Sequence, residues 1–398
     1  MKKNSITFVD SIMGSGKTTW AIDYMNSHPQ EHFVYITPFL NECTRIIENC
    51  PSLHFTEPND KPFGKRADLR DLLKQGKNIA MTHELLKIFA LKDSDREHIE
   101  KYGYTFIIDE ALETILPVES ISKAEVRGIF RNGWAKVEEN GKVIWMENKE
   151  EFIQNKKIKR EAECGNLFWY RDSLLLWLLP VELIKAMPRL YVLTFMSEAS
   201  HLRHYLEIHH LPYTVSHVEG KTIRDGSMDL KETKDRLNSL INIYHGPLND
   251  IGEGNGALSA TYYRKNKNSS EVENNARSFL RHENARSDEV MWSSFVSNRL
   301  SINGYDKGFV PFNSRATNKY RDRKYLAYLV SVYENPMVSG WFEEHGSPLD
   351  SSQFALATML QWIYRSRIRD GQPIDLYLPS SRMRTILTDW LNSENQIR

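Results

Sequence analysis

Short apolar runs alternate with amphipathic segments through the first half of the chain. The runs are rich in β-branched and aromatic residues, which is typical of buried strands. Helical spacing of apolar positions occurs between them, for example at residues 40–48 and 67–74. The predicted strands lie at residues 6–10, 33–37, 78–82, 105–109 and 190–195. This alternation predicts a parallel α/β sheet, and each run ends in polar or small residues at the sheet edge where ligands bind.

An irregular region from about residue 117 to about residue 180 interrupts the pattern, and we interpret it as an insertion. It contains a predicted hairpin around Asn140 and Gly141. Its most apolar run, 174–179, stops at Pro180 and is far shorter than the roughly 20 residues of a membrane span. We therefore predict a core helix there and no association with a membrane.

The chain becomes polar from about residue 220, which indicates a linker followed by a second α/β part. In this part we predict strands at 290–295, 308–312 and 374–378, with helices at 325–333 and 353–368. The predicted domains are therefore 1–220, with the insertion, and 221–398.

Composition adds few constraints. The chain has 398 residues, and Lys+Arg and Asp+Glu both number 52, so bulk charge gives no argument for nucleic-acid binding. The three cysteines, Cys43, Cys50 and Cys164, form neither a disulfide framework nor a paired zinc pattern. Together with the absence of a signal-peptide pattern, this predicts a cytoplasmic protein.

The candidate chemistry begins directly after the first predicted strand. Residues 11–19 read Ser-Ile-Met-Gly-Ser-Gly-Lys-Thr-Thr and precede a predicted helix, which is the arrangement of a nucleoside-triphosphate site. Backbone N–H groups of the loop and of the helix N-terminus would face the phosphates. Lys17 would reach the β- and γ-phosphates, and the Thr18 hydroxyl would bind Mg²⁺. The predicted nucleotide-binding residues of this loop are Gly14, Ser15, Gly16, Lys17, Thr18 and Thr19.

Two carboxylates follow the fourth predicted strand. Asp109 at the strand end would hold Mg²⁺, and Glu110 would orient and deprotonate the attacking water. Alone, the pair is also compatible with acidic residues at a helix N-terminus. Combined with the upstream loop, it predicts an NTP-hydrolysing site.

A third set of polar residues ends the predicted helix at 353–368. Gln361, Arg365 and Arg369 are spaced four residues apart, so on a helix they share one face. A guanidinium can stabilise the γ-phosphate in the transition state of hydrolysis. The alternative is a solvated basic face paired with Asp370 or with glutamates.

These motifs, in their order along the chain, resemble those of superfamily 2 (DEAD/DEAH-like) helicases. Residues 11–18 match motif I of that family, and residues 109–112 (Asp-Glu-Ala-Leu) are similar to motif II. Further similarities cover motifs Ia, the next nucleic-acid-contacting motif, III, V and VI, at residues 36–39, 79–83, 193–199, 313–318 and 361–369. Residues 315–320 and 361–369 also resemble compact helicase-like ATPases of phages and prophages.

The resemblance implies two RecA-like domains with parallel sheets, with ATP and Mg²⁺ in the cleft between them. It implies a nucleic-acid-stimulated ATP hydrolase that moves on, or unwinds, DNA or RNA in phage replication or recombination, with a replication or defence protein as a possible partner. Catalytic roles would fall to Lys17, Glu110, Gln361, Arg365 and Arg369. Nucleic-acid contacts would fall to Thr37, Pro38, Thr82 and Thr317.

Other interpretations remain open at the level of sequence. A P-loop kinase of small molecules would need an acceptor pocket, a terminase-like packaging ATPase would need a nuclease cluster of carboxylates, and a nucleotide switch would need no catalytic base. Aromatic residues of the insertion beside the basic run 156–160 could stack on single strands, although we favour a small core. His201 and His204 lack further metal ligands nearby in the sequence, so we expect ordinary core or surface histidines.

Overall fold

The computed structural model describes residues 4–60, 63–146, 156–265, 269–314 and 319–393, which form two compact units. Unit 1 contains Met1–Ser227 and Asn335–Leu349, and unit 2 contains Met228–Glu334 and Asp350–Arg398. The strands are β1 Ser5–Asp10, β2 Phe33–Thr37, β3 Ile79–Thr82, β4 Thr105–Asp109, β5 Ile115–Pro117, β6 Ala135–Val137, β7 Val143–Trp145, β8 Leu167–Tyr170, β9 Leu174–Leu178, β10 Arg189–Thr194, β11 Thr214–Glu219, β12 Thr222–Asp225, β13 Ile241–Ile243, β14 Val290–Ser293, β15 Tyr325–Tyr328 and β16 Ile374–Tyr377. The helices are α1 Lys17–Ser27, α2 Leu40–Asn49, α3 Lys65–Lys74, α4 His83–Lys87, α5 Asp93–Tyr102, α6 Lys123–Arg131, α7 Lys156–Glu163, α8 Val181–Lys185, α9 His201–Ile208, α10 Lys231–Leu240, α11 Ala260–Lys265, α12 Ser270–His282, α13 Pro336–Glu344, α14 Ser351–Ile363 and α15 Ser381–Asn392.

Unit 1 is built on a seven-stranded sheet with the order β12-β11-β1-β10-β4-β2-β3. Its strands run parallel except β12, which forms a hairpin with β11. Both faces are covered, since Phe8 and Val9 of β1 point into different apolar cores. Burial on both faces explains the continuous apolar runs of these strands. The predicted α/β class with parallel sheets is confirmed.

The insertion forms a small layer of its own within unit 1. Strands β5, β9 and β8 make an antiparallel sheet, and β6 and β7 pair around Gly141, as the hairpin prediction required. The prediction of a core helix at 174–179 is wrong, because this run is β9. Leu175 packs into the core of the insertion, whereas Leu176 and Leu178 pack into the large core of unit 1. A strand buried on both faces has the same apolar composition as a buried helix.

Unit 2 is built on a four-stranded parallel sheet with the order β13-β16-β15-β14. The predicted strands at 290–295 and 374–378 are present as β14 and β16. The predicted helix at 325–333 is wrong, since its first residues form the interior strand β15, which is fully buried on both faces. The predicted strand at 308–312 is reduced to one bridge between Trp292 and Phe309, because Pro311 has no N–H to continue the ladder.

The chain returns from unit 2 to unit 1 for fifteen residues, Asn335–Leu349, which include α13. Asn335 caps the helix by accepting a hydrogen bond from Met337 N, and Pro336 occupies the first helical position. Val338, Trp341 and Phe342 are buried in the core that also contains Phe8 of β1. This helix is therefore part of the hydrophobic core of unit 1.

Candidate nucleotide-binding site

The phosphate loop connects β1, which ends at Asp10, to α1, which begins at Lys17. Gly14 and Gly16 adopt left-handed φ angles of 81° and 92°, a conformation that other residues adopt only at a cost. Ser11 fixes the start of the loop, since its N–H donates to Thr194 O (3.0 Å) and its hydroxyl accepts from Val218 N (2.8 Å). The loop is thereby held to β10 on one side and to β11 on the other.

Lys17 closes the loop on itself. Its Nζ donates a hydrogen bond to Ile12 O at 3.0 Å and another to Ser11 O. The side chains at 14–16 are small, and α1 begins directly at Lys17 without a side-chain cap at Gly16. The first N–H groups of a helix have no partner within the helix, and they attract anions. The loop thus has the build of a phosphate site, with a lysine positioned at its rim.

Thr18 and Asp109 lie together although they are 91 positions apart in the sequence. Thr18 Oγ1 donates to Asp109 Oδ2 at 3.3 Å, and the Tyr35 hydroxyl donates to the same oxygen at 2.8 Å. Burial raises the pKa of Asp109, whereas the hydrogen bond from Tyr35 and the charge of Lys17 oppose this shift. A hydroxyl and a carboxylate oxygen are ligands that Mg²⁺ prefers, so this pair fits the predicted metal.

Glu110 follows Asp109 in a left-handed conformation, with φ at 65°. Its N–H donates to Leu193 O at 2.9 Å, and the ring of the buried His83 is hydrogen-bonded through Nε2 to Asp109 O (2.9 Å). A positive φ at a residue other than glycine costs energy and is concentrated at functional sites. These two contacts hold the turn that directs Glu110 away from the regular path of β4.

The turn after β10 is tied to the residue that precedes the phosphate loop. Asp10 accepts hydrogen bonds from Met196 N (2.9 Å) and Ser197 N (2.7 Å), and Met196 is left-handed with φ at 55°. Sequence reasoning missed Tyr35, and it placed Asp10 and His83 at the ligand-binding edge without giving either a role at the nucleotide site. All three lie on, or directly after, strands that were correctly predicted, so strand-end polarity was the available signal for Asp10 and His83.

The residues predicted to contact nucleic acid differ in accessibility. Thr37 is fully buried, and its hydroxyl has no hydrogen-bond partner in the described part of the chain. Thr82 lies beside it in the register of β2 and β3, where its hydroxyl caps α4 by accepting from Leu85 N (3.4 Å). Pro38 is half-buried, and Thr317 lies outside the described residues.

In unit 2, the structure corrects the predicted helical face. Helix α14 ends at Ile363, where the Ser366 hydroxyl donates to Ile363 O and accepts from Ile368 N at the start of a 3₁₀ turn. Gln361, Arg365 and Arg369 therefore do not share one face of a helix. Arg365 is 8% exposed and donates to Gln361 O (2.9 Å) and to Ser314 O, whereas Arg369 is exposed on the 3₁₀ turn.

The histidines singled out from the sequence have structural contacts. His204 is hydrogen-bonded through Nδ1 to Ser347 Oγ (2.7 Å) and through Nε2 to Glu198 O (2.9 Å). Across the residues that the structure describes, no group of three or more His, Cys, Asp or Glu side chains is placed to hold a metal ion. None of the described helices has both the length and the apolarity of a membrane span.

Comparison with known proteins identifies relatives over the whole chain. Residues 116–177 match the family model of the YonV middle domain, and residues 235–391 match that of the YonV C-terminal Rossmann-like domain. The chain is 34% identical over 412 residues to the SPbeta prophage-derived uncharacterized protein YonV of Bacillus subtilis (strain 168). The alignment covers 98% of this chain and 99% of that protein.

Two solved structures of XPD proteins have a similar fold. An XPD helicase superimposes with a TM-score of 0.52 at 13% identity, covering 98% of this chain and 95% of the other. An XPD protein in its apo form gives a TM-score of 0.50 at 14% identity, with coverage of 98% and 96%. At such identities the likeness shows the fold alone, which is the two-domain helicase fold.

Proposed function

The chain belongs to the YonV family. We propose that it is an ATP-driven helicase or translocase acting on nucleic acid. The observation that carries the proposal is the position of Thr18 beside Asp109, directly after a phosphate loop whose two glycines are left-handed. This pairing supports a metal–nucleotide site, because the ligands of Mg²⁺ and the donors to phosphate converge there. The helicase fold supports nucleic acid as the second substrate.

In this proposal, Gly14–Thr19 and Lys17 bind the triphosphate, and Thr18 and Asp109 hold Mg²⁺. The bound Mg²⁺ and ATP supply the phosphoryl chemistry, and Glu110 accepts the proton of the attacking water. Of the catalytic candidates in unit 2, Gln361 and Arg369 are retained in this proposal, with Arg369 as the exposed guanidinium, whereas Arg365 is proposed to hold the backbone through Gln361 O and Ser314 O. The residues proposed to contact nucleic acid are Thr37, Pro38, Thr82 and Thr317. Of the adjacent Thr37 and Pro38, Pro38 is the partly exposed one.

The relationship to a prophage protein supports a role in phage replication or recombination inside the bacterial cell. Nucleic acid is the proposed partner, and DNA is favoured over RNA on the basis of that role. A kinase of small molecules or a packaging ATPase would give different products in the experiment below.

The test is the rate of ATP hydrolysis with and without single-stranded DNA, duplex DNA and RNA. We expect a low basal rate that nucleic acid stimulates, and loss of both rates in Lys17→Ala, while Lys74→Ala, at an exposed lysine, retains them. An ATPase rate that no nucleic acid changes would exclude the motor. Transfer of phosphate to an acceptor would indicate a kinase, and metal-dependent cleavage of plasmid DNA would indicate a packaging enzyme.

A further inference from the structure

Residues 335–349 belong to unit 1, although the chain on both sides of them belongs to unit 2. The helix in this segment, α13, is held by apolar burial, since Phe342 is fully buried and Val338 is 2% exposed. Any displacement of the segment would carry the residues next to it, Glu334 and Asp350, because they are covalently continuous with it. The segment is therefore a mechanical link between unit 1 and the chain of unit 2.

The end of this segment is bound to α9 by polar contacts. Ser347 is 7% exposed, and its hydroxyl donates to Glu207 Oε2 at 2.9 Å. The same hydroxyl is hydrogen-bonded to His204 Nδ1 at 2.7 Å, and the other ring nitrogen of His204 is bonded to Glu198 O at 2.9 Å. His204 thus bridges the segment to the turn that follows β10.

That turn is bound in the opposite direction to the phosphate loop. Asp10 accepts from Ser197 N at 2.7 Å, and Ser11, which begins the loop, is the next residue. Arg203 braces the same turn, since its Nη1 donates to Ser197 Oγ at 3.1 Å and it pairs with Glu198 at 3.7 Å. A continuous set of hydrogen bonds therefore runs from Asp10 through the turn at 196–198 and His204 to Ser347.

A second polar contact holds the segment but is not part of this set. Glu344 accepts from the Tyr170 hydroxyl (2.7 Å) and from Arg171 Nε (2.8 Å), at the turn between β8 and β9. Arg171 lies in the insertion and Glu344 lies in α13, and both side chains are exposed. This contact offers a matched control, because it fixes the same helix without reaching the phosphate loop.

We propose that His204 and Ser347 are positioning residues that transmit the nucleotide state of the phosphate loop to segment 335–349, and so to the chain of unit 2. The inference rests on the proposed function. Lys17 is bonded to the carbonyls of Ser11 and Ile12, so a lysine that turns to a phosphate gives up these two bonds, one of which is to the residue next to Asp10. The pair Asp10–Ser197 passes that change to His204, and contiguous hydrogen-bonded networks of this type can carry coupling between sites.

The test compares Ser347→Ala, Ser347→Thr and Glu344→Gln with the wild type. Basal ATPase and nucleotide affinity are measured without nucleic acid, and stimulation is measured with saturating single-stranded DNA. We expect Ser347→Ala to lose about fivefold or more of the stimulation at unchanged basal rate and affinity, which is the range of ordinary coupling between sites. The hydroxyl of Ser347→Thr should restore it, and Glu344→Gln should keep it.

Hydrogen exchange supplies a second readout on the same proteins. In the wild type, a non-hydrolysable ATP analogue with Mg²⁺ should change the exchange of peptides covering 335–349, and in Ser347→Ala this change should disappear. His204→Gln serves as the second variant if Ser347→Ala does not fold. Normal stimulation in Ser347→Ala, or an equal loss in Glu344→Gln, would overturn the inference while the proposed function stands. A wild type without nucleotide hydrolysis would overturn the proposed function itself.

Discussion

The Tyr35 hydroxyl donates a hydrogen bond to Asp109 Oδ2 at 2.8 Å, on the same oxygen that accepts from Thr18 Oγ1. Tyr35 and Asp109 come from the neighbouring strands β2 and β4, in which Tyr35 lies opposite Ile107. Its side chain therefore reaches two residues along β4 to the end of the strand. Tyr35 stabilises the ionised form of this carboxylate and so opposes the rise in its pKa that burial causes.

Replacing Tyr35 by Phe should weaken the use of Mg²⁺. The change removes a hydrogen bond to a charged group, worth about 1.5–3 kcal/mol, and raises the pKa of Asp109 further. We expect the Mg²⁺ concentration for half-maximal ATPase to rise about tenfold at neutral pH, measured by metal titration at saturating ATP. Tyr104→Phe is the control, since its buried hydroxyl bonds Lys77 O away from the site. Equal Mg²⁺ requirements in both variants would contradict this role.

Asp109 should make the stability of unit 1 depend on pH. Its pKa is raised in the folded protein, so the folded state binds more protons than the unfolded chain between the ordinary and the raised value. The free energy of unfolding therefore falls as pH rises through that window. Relative to the wild type, Asp109→Asn should gain stability as the pH rises above the ordinary carboxyl pKa of about 4, measured by denaturant unfolding. Asp93→Asn, at a fully exposed side chain, should show no such gain.

In the presence of Mg²⁺ and nucleotide, the wild type should become more stable than Asp109→Asn. A metal ion binds the ionised carboxylate, so Mg²⁺ with nucleotide should raise the melting temperature of the wild type and leave Asp109→Asn unchanged. Thermal melting with and without Mg²⁺ and a nucleotide analogue measures this. Stabilisation of both proteins to the same extent would place the metal elsewhere.

Replacing Glu110 by Gln should separate hydrolysis from binding. If Glu110 accepts the proton of the attacking water, the single-turnover rate should fall about 10²–10⁴-fold, while nucleotide affinity stays near the wild-type value. Single-turnover hydrolysis and titration with a fluorescent nucleotide measure the two quantities. Glu113→Gln is the nearby control, because the Glu113 carboxylate pairs with Lys87 at 3.9 Å. An undiminished rate in Glu110→Gln would indicate a different base or a switch protein.

Replacing Arg365 by Ala should mainly lower stability, whereas replacing Arg369 by Ala should mainly lower the rate of ATP hydrolysis. Arg365 is buried and bonded to two carbonyls, so its loss should lower the free energy of unfolding of unit 2 by about 1–3 kcal/mol. Arg369 is exposed, so its loss should change stability by less than about 0.5 kcal/mol but reduce ATP hydrolysis by about 10³-fold. Chemical denaturation and ATPase rates distinguish the two. Wild-type hydrolysis in Arg369→Ala would remove it from the proposed machinery.

Five of the seven strands of the unit 1 sheet could be predicted, because each of these five is short, apolar and followed by polar residues, whereas β11 and the largely exposed β12 were missed. The strands at 33–37 and 105–109 were predicted to the residue, and Thr18 and Asp109, which the sequence assigned to one Mg²⁺ site, lie in contact. Both follow from local sequence, since the carboxyl ends of parallel strands lie at one edge. Tyr35 was missed because its function depends on the register between β2 and β4, which the sequence of either strand does not determine.

Two of the errors share one physical cause. The runs at 174–179 and 325–333 are apolar on all sides, so they lack the periodicity that separates a buried strand from a buried helix. The end of α14 at Ile363 depends on the hydroxyl of Ser366, which competes with the helical backbone for hydrogen bonds. The return of α13 to unit 1 is a long-range event, and the local pattern of an amphipathic helix does not identify the core that it joins.

The place of α13 limits how the protein can be divided for study. A fragment that ends at Ser227 lacks Val338, Trp341 and Phe342, each of which would otherwise contribute about 1.5–3 kcal/mol by burial. The complementary fragment from Met228 would carry the same three apolar side chains without the core that covers them, and they would favour aggregation. Separate expression of the two halves would therefore require grafting residues 335–349 onto the first fragment and closing the gap in the second with a short linker.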